Sequence, residues 1–177
     1  MPPTPVIFKT NHRAKFDDLD LNGHMNTNRY GSYFMENRFE GHREHFGLDI
    51  KHIMQLPFAI YTKKFSIEFY RPILADSEFT IVSHVSEYKG ETAIVEAEML
   101  NHKEVRTASC TMILVCIDKS TMKPSDWPDT FINRFFSEKS DALGARTLKP
   151  SMPLACSGES RLYQPPLTYR QIAWVGK

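Results

Sequence analysis

The chain has 177 residues and a formal net charge of +1, and its 41% hydrophobic and 24% charged residues are ordinary for a globular domain. This balance argues against a disordered chain and a nucleic-acid-binding surface, and no apolar run approaches the ~18 residues of a membrane span. The three cysteines have no metal-ligand spacing and form no disulfide framework. The start lacks a signal-peptide pattern, so we expect a cytoplasmic protein with reduced thiols.

The first third of the chain predicts one strand and one long helix. Apolar residues alternate with polar ones in residues 6–16, which is typical of a strand. A polar turn follows, and residues 27–46 then adopt a helical period with one apolar face. Asn26 or Thr27 is suited to cap the start of this helix, and Gly47 is suited to end it.

Four β-rich segments follow a short connection, at residues 58–70, 77–88, 92–101 and 105–117. Turn residues separate the last three, so we expect the four strands to pair as an antiparallel meander. One strand, one long helix and four antiparallel strands make an α+β fold, in which a curved sheet wraps around the helix.

The composition changes near the end of the predicted sheet. We expect one domain over residues 1–125 and a proline-rich extension over residues 126–177. The extension contains aromatic residues that are too apolar to be left in water, so it should pack on the body or on a neighbouring subunit.

The turn before the helix carries the chemically interesting side chains. Residues 18–30 read Asp-Leu-Asp-Leu-Asn-Gly-His-Met-Asn-Thr-Asn-Arg-Tyr. Carboxylate, amide and imidazole groups thus lie beside a helix N-terminus, whose free N–H groups and positive dipole end favour developing negative charge. This combination is suited to acyl transfer.

The order Asp-x-Asp-x-x-Gly-His-x-Asn-x-x-x-Tyr resembles the opening of the 4-hydroxybenzoyl-CoA-thioesterase-like branch of the hotdog-fold superfamily, and the resemblance extends over about residues 8–125. It implies a single hotdog fold and an enzyme that hydrolyses an acyl-CoA to a free carboxylic acid and CoA. It also implies a homodimer or tetramer with the acyl site between protomers. No metal or other cofactor is implied.

The resemblance places Asp20 at the position of the family's catalytic acidic residue, where it would act as general base or nucleophile. Capping of its own turn is the alternative role. Asn22 and His24 also match a segment of the plant acyl-ACP thioesterases, in which the corresponding side chains belong to a proposed catalytic network. His24 would orient Asp20, hold a water or bond the thioester, unless it only bridges backbone groups.

The remaining candidates are assigned to substrate binding or to packing. Gly23 would bring backbone close to the substrate or form an ordinary turn with positive φ. Tyr30 matches a tyrosine of the family's central helix, and packing is its expected role. The other candidate substrate-binding residues are Asn26, Thr27 and Asn28, which could simply cap the helix, and Glu68 and Arg71 at the end of a strand.

Two further charged residues carry expectations of their own. Asp18 is expected at the solvated surface, although a position close to Asp20 would raise the pKa of one carboxyl group. Arg38 matches an arginine of the family's helix and is expected in a structural ion pair. Met35 departs from the family pattern, since many relatives have Glu there.

Two other functions stay open from the sequence. The first is an acyl-ACP thioesterase, in which a carrier protein replaces CoA and docks on a basic surface. The second is a non-catalytic hotdog module that binds acyl groups.

Overall fold

The structure is a computed structural model, and it describes residues 4–137. Its strands are β1 (Thr4–Pro5), β2 (Phe8–Arg13), β3 (Phe58–Phe69), β4 (Glu78–Lys89), β5 (Thr92–Asn101), β6 (Arg106–Asp118), β7 (Lys123–Pro124) and β8 (Phe136–Ser137). Its helices are α1 (Thr27–Phe46), α2 (Ile50–Gln55) and α3 (Asp129–Ile132). The predicted α+β class is confirmed. The short helix α2 was not predicted, and the first strand is shorter than the predicted residues 6–16.

The main sheet is antiparallel and has the strand order β2-β4-β5-β6-β3, with β7 paired to the end of β6. The predicted meander is correct for β4, β5 and β6. It is wrong for β3, which pairs with β6 along its whole length and not with its successor β4. The connection between β3 and β4 runs through residues 70–77, which is too long for a tight hairpin and lets the chain cross to the far side of the sheet. As a result, β2 and β3 form the two edges.

Helix α1 packs on the concave face of the sheet. Asn26 caps its start, because its side chain accepts a hydrogen bond from the Asn28 N–H at 3.0 Å, and Gly47 ends it with φ of 65°. The helix approaches β2 so closely that a Cβ at Gly41 would lie 2.1 Å from the Phe8 ring. The buried face of α1 consists of Tyr30, Tyr33, Phe34, Asn37, Arg38, Gly41 and His42.

The segment after β7 contributes to the same hydrophobic core. Trp127, Phe131 and Phe135 are all buried there, so the core continues beyond the boundary at residue 125 that the sequence suggested. Strand β8 then pairs with β1, which brings the two ends of the described chain together. The rest of the predicted extension lies outside the described residues, and its packing stays a prediction.

Within residues 4–137, none of the helices combines the length and the apolar character that a membrane crossing requires.

Candidate active site

The polar turn before α1 is a short closed loop. The Asp20 N–H donates to the His24 carbonyl at 2.7 Å, and Gly23 has the positive φ of 73° that the sequence suggested. The loop is tied to the segment after β3, since His24 and Leu74 form an antiparallel bridge and the Met25 N–H donates to the Ile73 carbonyl at 2.7 Å. The turn is therefore held between the start of α1 and the sheet.

Asp20 points one carboxylate oxygen back into this turn. Its Oδ1 accepts hydrogen bonds from the backbone N–H groups of Asn22 at 2.8 Å and His24 at 3.2 Å. These bonds, above all the one from Asn22, outweigh the opposing effect of desolvation and hold the pKa of Asp20 below its usual value. The carboxylate is thus ionised at neutral pH, and Oδ2 does not take part in either turn bond.

Asn22 and His24 donate backbone N–H hydrogen bonds to Asp20, and the His24 ring and the Asn22 side-chain amide lie close enough to lower its pKa further. The Asn22 side chain is exposed, and the His24 side chain is half-buried. His24 donates to Asp20 through its backbone N–H, and its imidazole takes no part in that hydrogen bond. The structure therefore brings the three predicted catalytic residues into one turn, and the turn-capping role of Asp20 is present in it.

The expectation that Asp18 lies at the solvated surface is wrong. Asp18 is fully buried, and it accepts hydrogen bonds from the Tyr33 hydroxyl at 2.5 Å and the Lys15 N–H at 2.8 Å. The Arg29 guanidinium donates to its Oδ1 at 2.6 Å. Burial alone would raise the pKa of Asp18, but these three partners outweigh it and lower the pKa.

The partners of Asp18 have a recognisable sequence spacing. Arg29 and Tyr33 are four residues apart on α1 and therefore share one face of its first turns. Two hydrogen-bond donors on one helix face could have indicated that a buried acceptor lies opposite them. The cluster also explains the path of the turn, since the Asn26 N–H donates to the Asp18 carbonyl at 2.7 Å.

The first turn of α1 presents backbone donors next to the loop. Asn26 accepts from the N–H of Asn28 through its side chain and from the N–H of Arg29 through its carbonyl at 2.9 Å. These two capping bonds do not involve the N–H of Thr27. The side chains of Asn26, Thr27 and Asn28 are all exposed.

Tyr30 is buried beneath this turn, where its ring contacts Phe69 edge-on with centroids 5.0 Å apart. Its hydroxyl accepts a hydrogen bond from the Ile73 N–H at 3.3 Å, so it helps to fix the segment that pairs with the turn. Glu68 accepts a hydrogen bond from the Tyr70 hydroxyl at 2.7 Å. Glu68 and Arg71 are exposed at the end of β3.

The ion pair expected for Arg38 is absent from the described residues. Arg38 is 5% exposed, yet no Asp or Glu in residues 4–137 lies within ion-pair distance of it. Met35, one turn earlier on α1, supplies no charge. Within the same range, no cluster of three His, Cys, Asp or Glu side chains could hold a metal ion.

Residues 14–135 match the family model described as the thioesterase-like superfamily, and the chain belongs to this family. It is 22% identical to the acyl-CoA thioester hydrolase YbgC of Escherichia coli over 130 residues, which are 73% of this chain and 96% of that protein. The family and the hotdog fold predicted from the turn motif are thus confirmed.

Solved structures agree on the fold. A 1,4-dihydroxy-2-naphthoyl-CoA thioesterase from Synechocystis superposes with a TM-score of 0.67 at 17% identity, covering 73% of this chain and 96% of that one. A hypothetical protein from Staphylococcus aureus, solved in complex with CoA, also gives a TM-score of 0.67, at 15% identity over 73% of this chain and 82% of that one. At such identities the likeness concerns the fold.

Proposed function

We propose that this protein hydrolyses acyl-CoA thioesters, and that Asp20 is its central catalytic group. The observation that carries the proposal is the state of the Asp20 carboxylate, which is ionised, has one oxygen fixed by two N–H groups of the turn and lies just before the start of α1. Membership of the thioesterase-like superfamily and the similarity to an acyl-CoA thioester hydrolase support the reaction class.

The turn offers the parts that thioester hydrolysis requires. In one route Asp20 Oδ2 takes a proton from the attacking water, and the tetrahedral intermediate then breaks its carbon–sulfur bond and releases CoA as a thiolate, which is protonated. In the other route Oδ2 attacks the thioester carbonyl carbon itself and expels the CoA thiolate, and water then cleaves the mixed anhydride. Both routes need the ionised carboxylate that the turn bonds favour. The negative charge that develops on the carbonyl oxygen would be stabilised by backbone N–H groups at the start of α1, among which that of Thr27 is the foremost candidate.

The other residues of the proposed site have supporting roles. His24 and Asn22 position Asp20 through their N–H groups, and the half-buried imidazole of His24 is available to hold a water or the substrate. Gly23 allows the turn its positive φ. Asn26, Asn28 and Tyr30 shape the start of the helix, and Glu68 and Arg71 would contact the CoA part of the substrate from the end of β3.

We further propose that two copies of the chain assemble along β3. This strand is an edge of the sheet, and its middle positions, residues 61–66, are all exposed. Large apolar side chains are also exposed around the candidate site, which a partner subunit would cover. These side chains are Phe16 (89%), Leu21 (106%), Phe69 (49%), Tyr70 (48%) and Leu74 (51%).

The protein is expected to work in the cytoplasm, where the buried free thiols of Cys110 and Cys116 stay reduced. Residues 138–177 are expected to pack on the body or on the neighbouring subunit. A carrier-protein thioester remains the alternative substrate.

The activity test measures CoA release from short, long and aromatic acyl-CoA substrates by the wild type and two variants. Asp20→Asn keeps an oxygen that accepts the two turn hydrogen bonds but removes the charge, so we expect kcat to fall ~10²-fold or more with little change in stability. Asp20→Ala removes charge and acceptor together, and it should lose activity to the same extent as Asp20→Asn.

A different pattern would refute the catalytic role. If Asp20→Asn turns over like the wild type while Asp20→Ala is impaired, Asp20 only shapes the turn. If none of the acyl-CoA substrates releases CoA but an acyl-ACP is hydrolysed, the substrate is the carrier-protein thioester.

The assembly test is the molar mass in solution, measured by light scattering. The wild type should have twice the chain mass or four times that mass, and Tyr61→Glu on β3 should reduce the mass to one chain and lower kcat. Val105→Glu, on the turn between β5 and β6, is the matched control and should leave the mass unchanged. A monomeric wild type with full turnover would contradict the proposed assembly.

A further inference from the structure

A cavity of about 190 Å³ lies between α1, the sheet and the segment that contains α3. Its walls are mostly apolar and aromatic, and include Phe39, Ile60, Leu114, Phe131 and Phe135. An engineered apolar cavity of about 150 Å³ is known to bind benzene, so a body of the size of one aromatic ring fits here. Arg38 lies eleven residues beyond the start of α1, about 16 Å along the helix, so the cavity is separate from the Asp20 turn.

Arg38 brings a positive charge to this cavity. Its Nη1 donates to Ser83 Oγ at 3.2 Å, and its guanidinium carbon lies 4.3 Å from the Phe8 ring centroid. Its buried Nε has no hydrogen-bond partner in the described part of the chain. Burial lowers the pKa of Arg38 to about 10, which still leaves it protonated at neutral pH.

A second donor in the same walls is also without a partner. Trp127 Nε1 is buried and has no acceptor among residues 4–137, and Trp127 lines the cavity together with Arg38. Tyr88 lines it as well, and burial raises the pKa of its phenol, so the hydroxyl keeps its proton. The walls thus combine one cation with additional hydrogen donors.

Among the described residues, no group next to Arg38 supplies the missing negative charge. His42, which also lines the cavity, is neutral at pH 7, because burial and the charge of Arg38 lower its pKa to about 4. Its Nδ1 donates to the Arg38 carbonyl. A buried charge without a counter-charge, and a buried donor without an acceptor, each raise the free energy of the folded state. An anionic ligand would remove both costs, because it would supply a counter-charge for Arg38 and an acceptor for the Trp127 N–H.

We propose that this cavity binds a small apolar carboxylic acid, with its carboxylate on Arg38 and Trp127 and its ring or short chain against the aromatic walls. A carboxylate suits Arg38, because a guanidinium donates hydrogen bonds to it in a fixed geometry. The apolar walls suit a ligand whose remaining part is a ring or a short hydrocarbon chain. The site is independent of the chemistry at Asp20. Free acids of this class are also what thioester hydrolysis would release.

The test is calorimetric titration of the full chain with phenylacetate, and with 2-phenylethanol as a neutral compound of similar size. Phenylacetate should bind the wild type at least ~10-fold more tightly than the alcohol, the difference expected for a hydrogen bond to a charged group. Arg38→Met should remove this preference. Arg43→Met is the matched control, since Arg43 lies on the exposed side of the same helix and pairs with Glu40, and it should bind like the wild type.

Two further measurements separate binding from folding. Arg38→Met replaces a buried charge that has no acidic partner within residues 4–137 by an apolar side chain, so its melting temperature should equal or exceed that of the wild type. Trp127→Phe keeps an aromatic ring but removes the N–H, and it should weaken phenylacetate binding several-fold. Neither measurement requires turnover, so their outcome does not depend on the proposed thioesterase activity.

The proposal is overturned if the wild type binds phenylacetate and the alcohol equally, or if Arg38→Met binds the acid like the wild type. It is also overturned if neither phenylacetate nor hexanoate binds at millimolar concentration. Competition by sodium chloride or inorganic phosphate at equal strength would mean that the cavity accepts any anion, which would overturn the assignment to apolar acids.

Discussion

Asp18 and Asp20 are two residues apart, and the fold gives them opposite environments. Asp18 is fully buried and is bonded by Tyr33, Arg29 and a backbone N–H, whereas Asp20 is exposed and is bonded only by its own turn. Both carboxylates have lowered pKa values. The difference shows that a fold can keep two neighbouring carboxylates ionised in two ways, one buried among side-chain and backbone donors and one at the surface held by its own turn.

The largest effect on stability should come from Asp18→Asn. The change removes the buried negative charge that Arg29 and Tyr33 contact, and since Arg29 is partly exposed we expect a loss of ~2 kcal/mol in the free energy of unfolding. Urea unfolding of the wild type, Asp18→Asn and Asp20→Asn measures the free energy of unfolding of each. Equal stabilities of the two variants would mean that burial does not distinguish these carboxylates.

The activity of Asp18→Asn sharpens the same contrast. Because Asp18 does not face the substrate in the proposed mechanism, the folded variant should keep kcat within a few-fold of the wild type, against the ~10²-fold loss expected for Asp20→Asn. Steady-state CoA release at a temperature where both variants are folded gives the comparison. A loss at Asp18 as large as that at Asp20 would place both carboxylates in the catalytic machinery.

The contribution of Asp18 to stability should also depend on pH. The pKa of Asp18 is lower in the folded state than the ~3.9 of an unfolded chain, so its contribution is fully present above that value and is lost as the pH falls through the folded pKa. The stability difference between wild type and Asp18→Asn should therefore shrink below about pH 4. A difference that stays constant down to pH 2 would contradict this assignment.

The smallest effect concerns the turn that holds Asp20. Gly23 has φ of 73° and open space around its Cβ position, so Gly23→Ala introduces backbone strain without a clash. We expect a loss of ~1 kcal/mol in stability. Gly47→Ala, at the end of α1 with φ of 65° and equally open space, is the control for strain away from the site. A drop in kcat for Gly23→Ala alone would show that the shape of the turn matters for the reaction.

The sequence predicted best the features that depend on neighbouring residues. Helix α1 was predicted at its observed bounds, because Asn26 and Gly47 mark its ends locally. The pairing of β3 with β6 was missed, since the sheet order depends on contacts between segments far apart in the chain.

In the candidate site, too, the sequence predicted local features but not contacts between distant segments. The turn motif brought Asp20, Asn22 and His24 together as predicted, because they lie within five residues. The burial of Asp18, and the lack of an acidic partner for Arg38 in the part of the chain that the structure describes, depend on which side chains pack against the helix in the folded protein. No local pattern in the sequence predicts these long-range contacts.

The pairing of β1 with β8 has a consequence for protein engineering. Thr4 lies opposite Ser137, so the polypeptide enters and leaves this unit at neighbouring points. Closely spaced ends are what circular permutation and domain insertion require. A short linker between Ser137 and Thr4 of the same unit would therefore close the chain without distorting it, and new ends could be opened in an exposed loop.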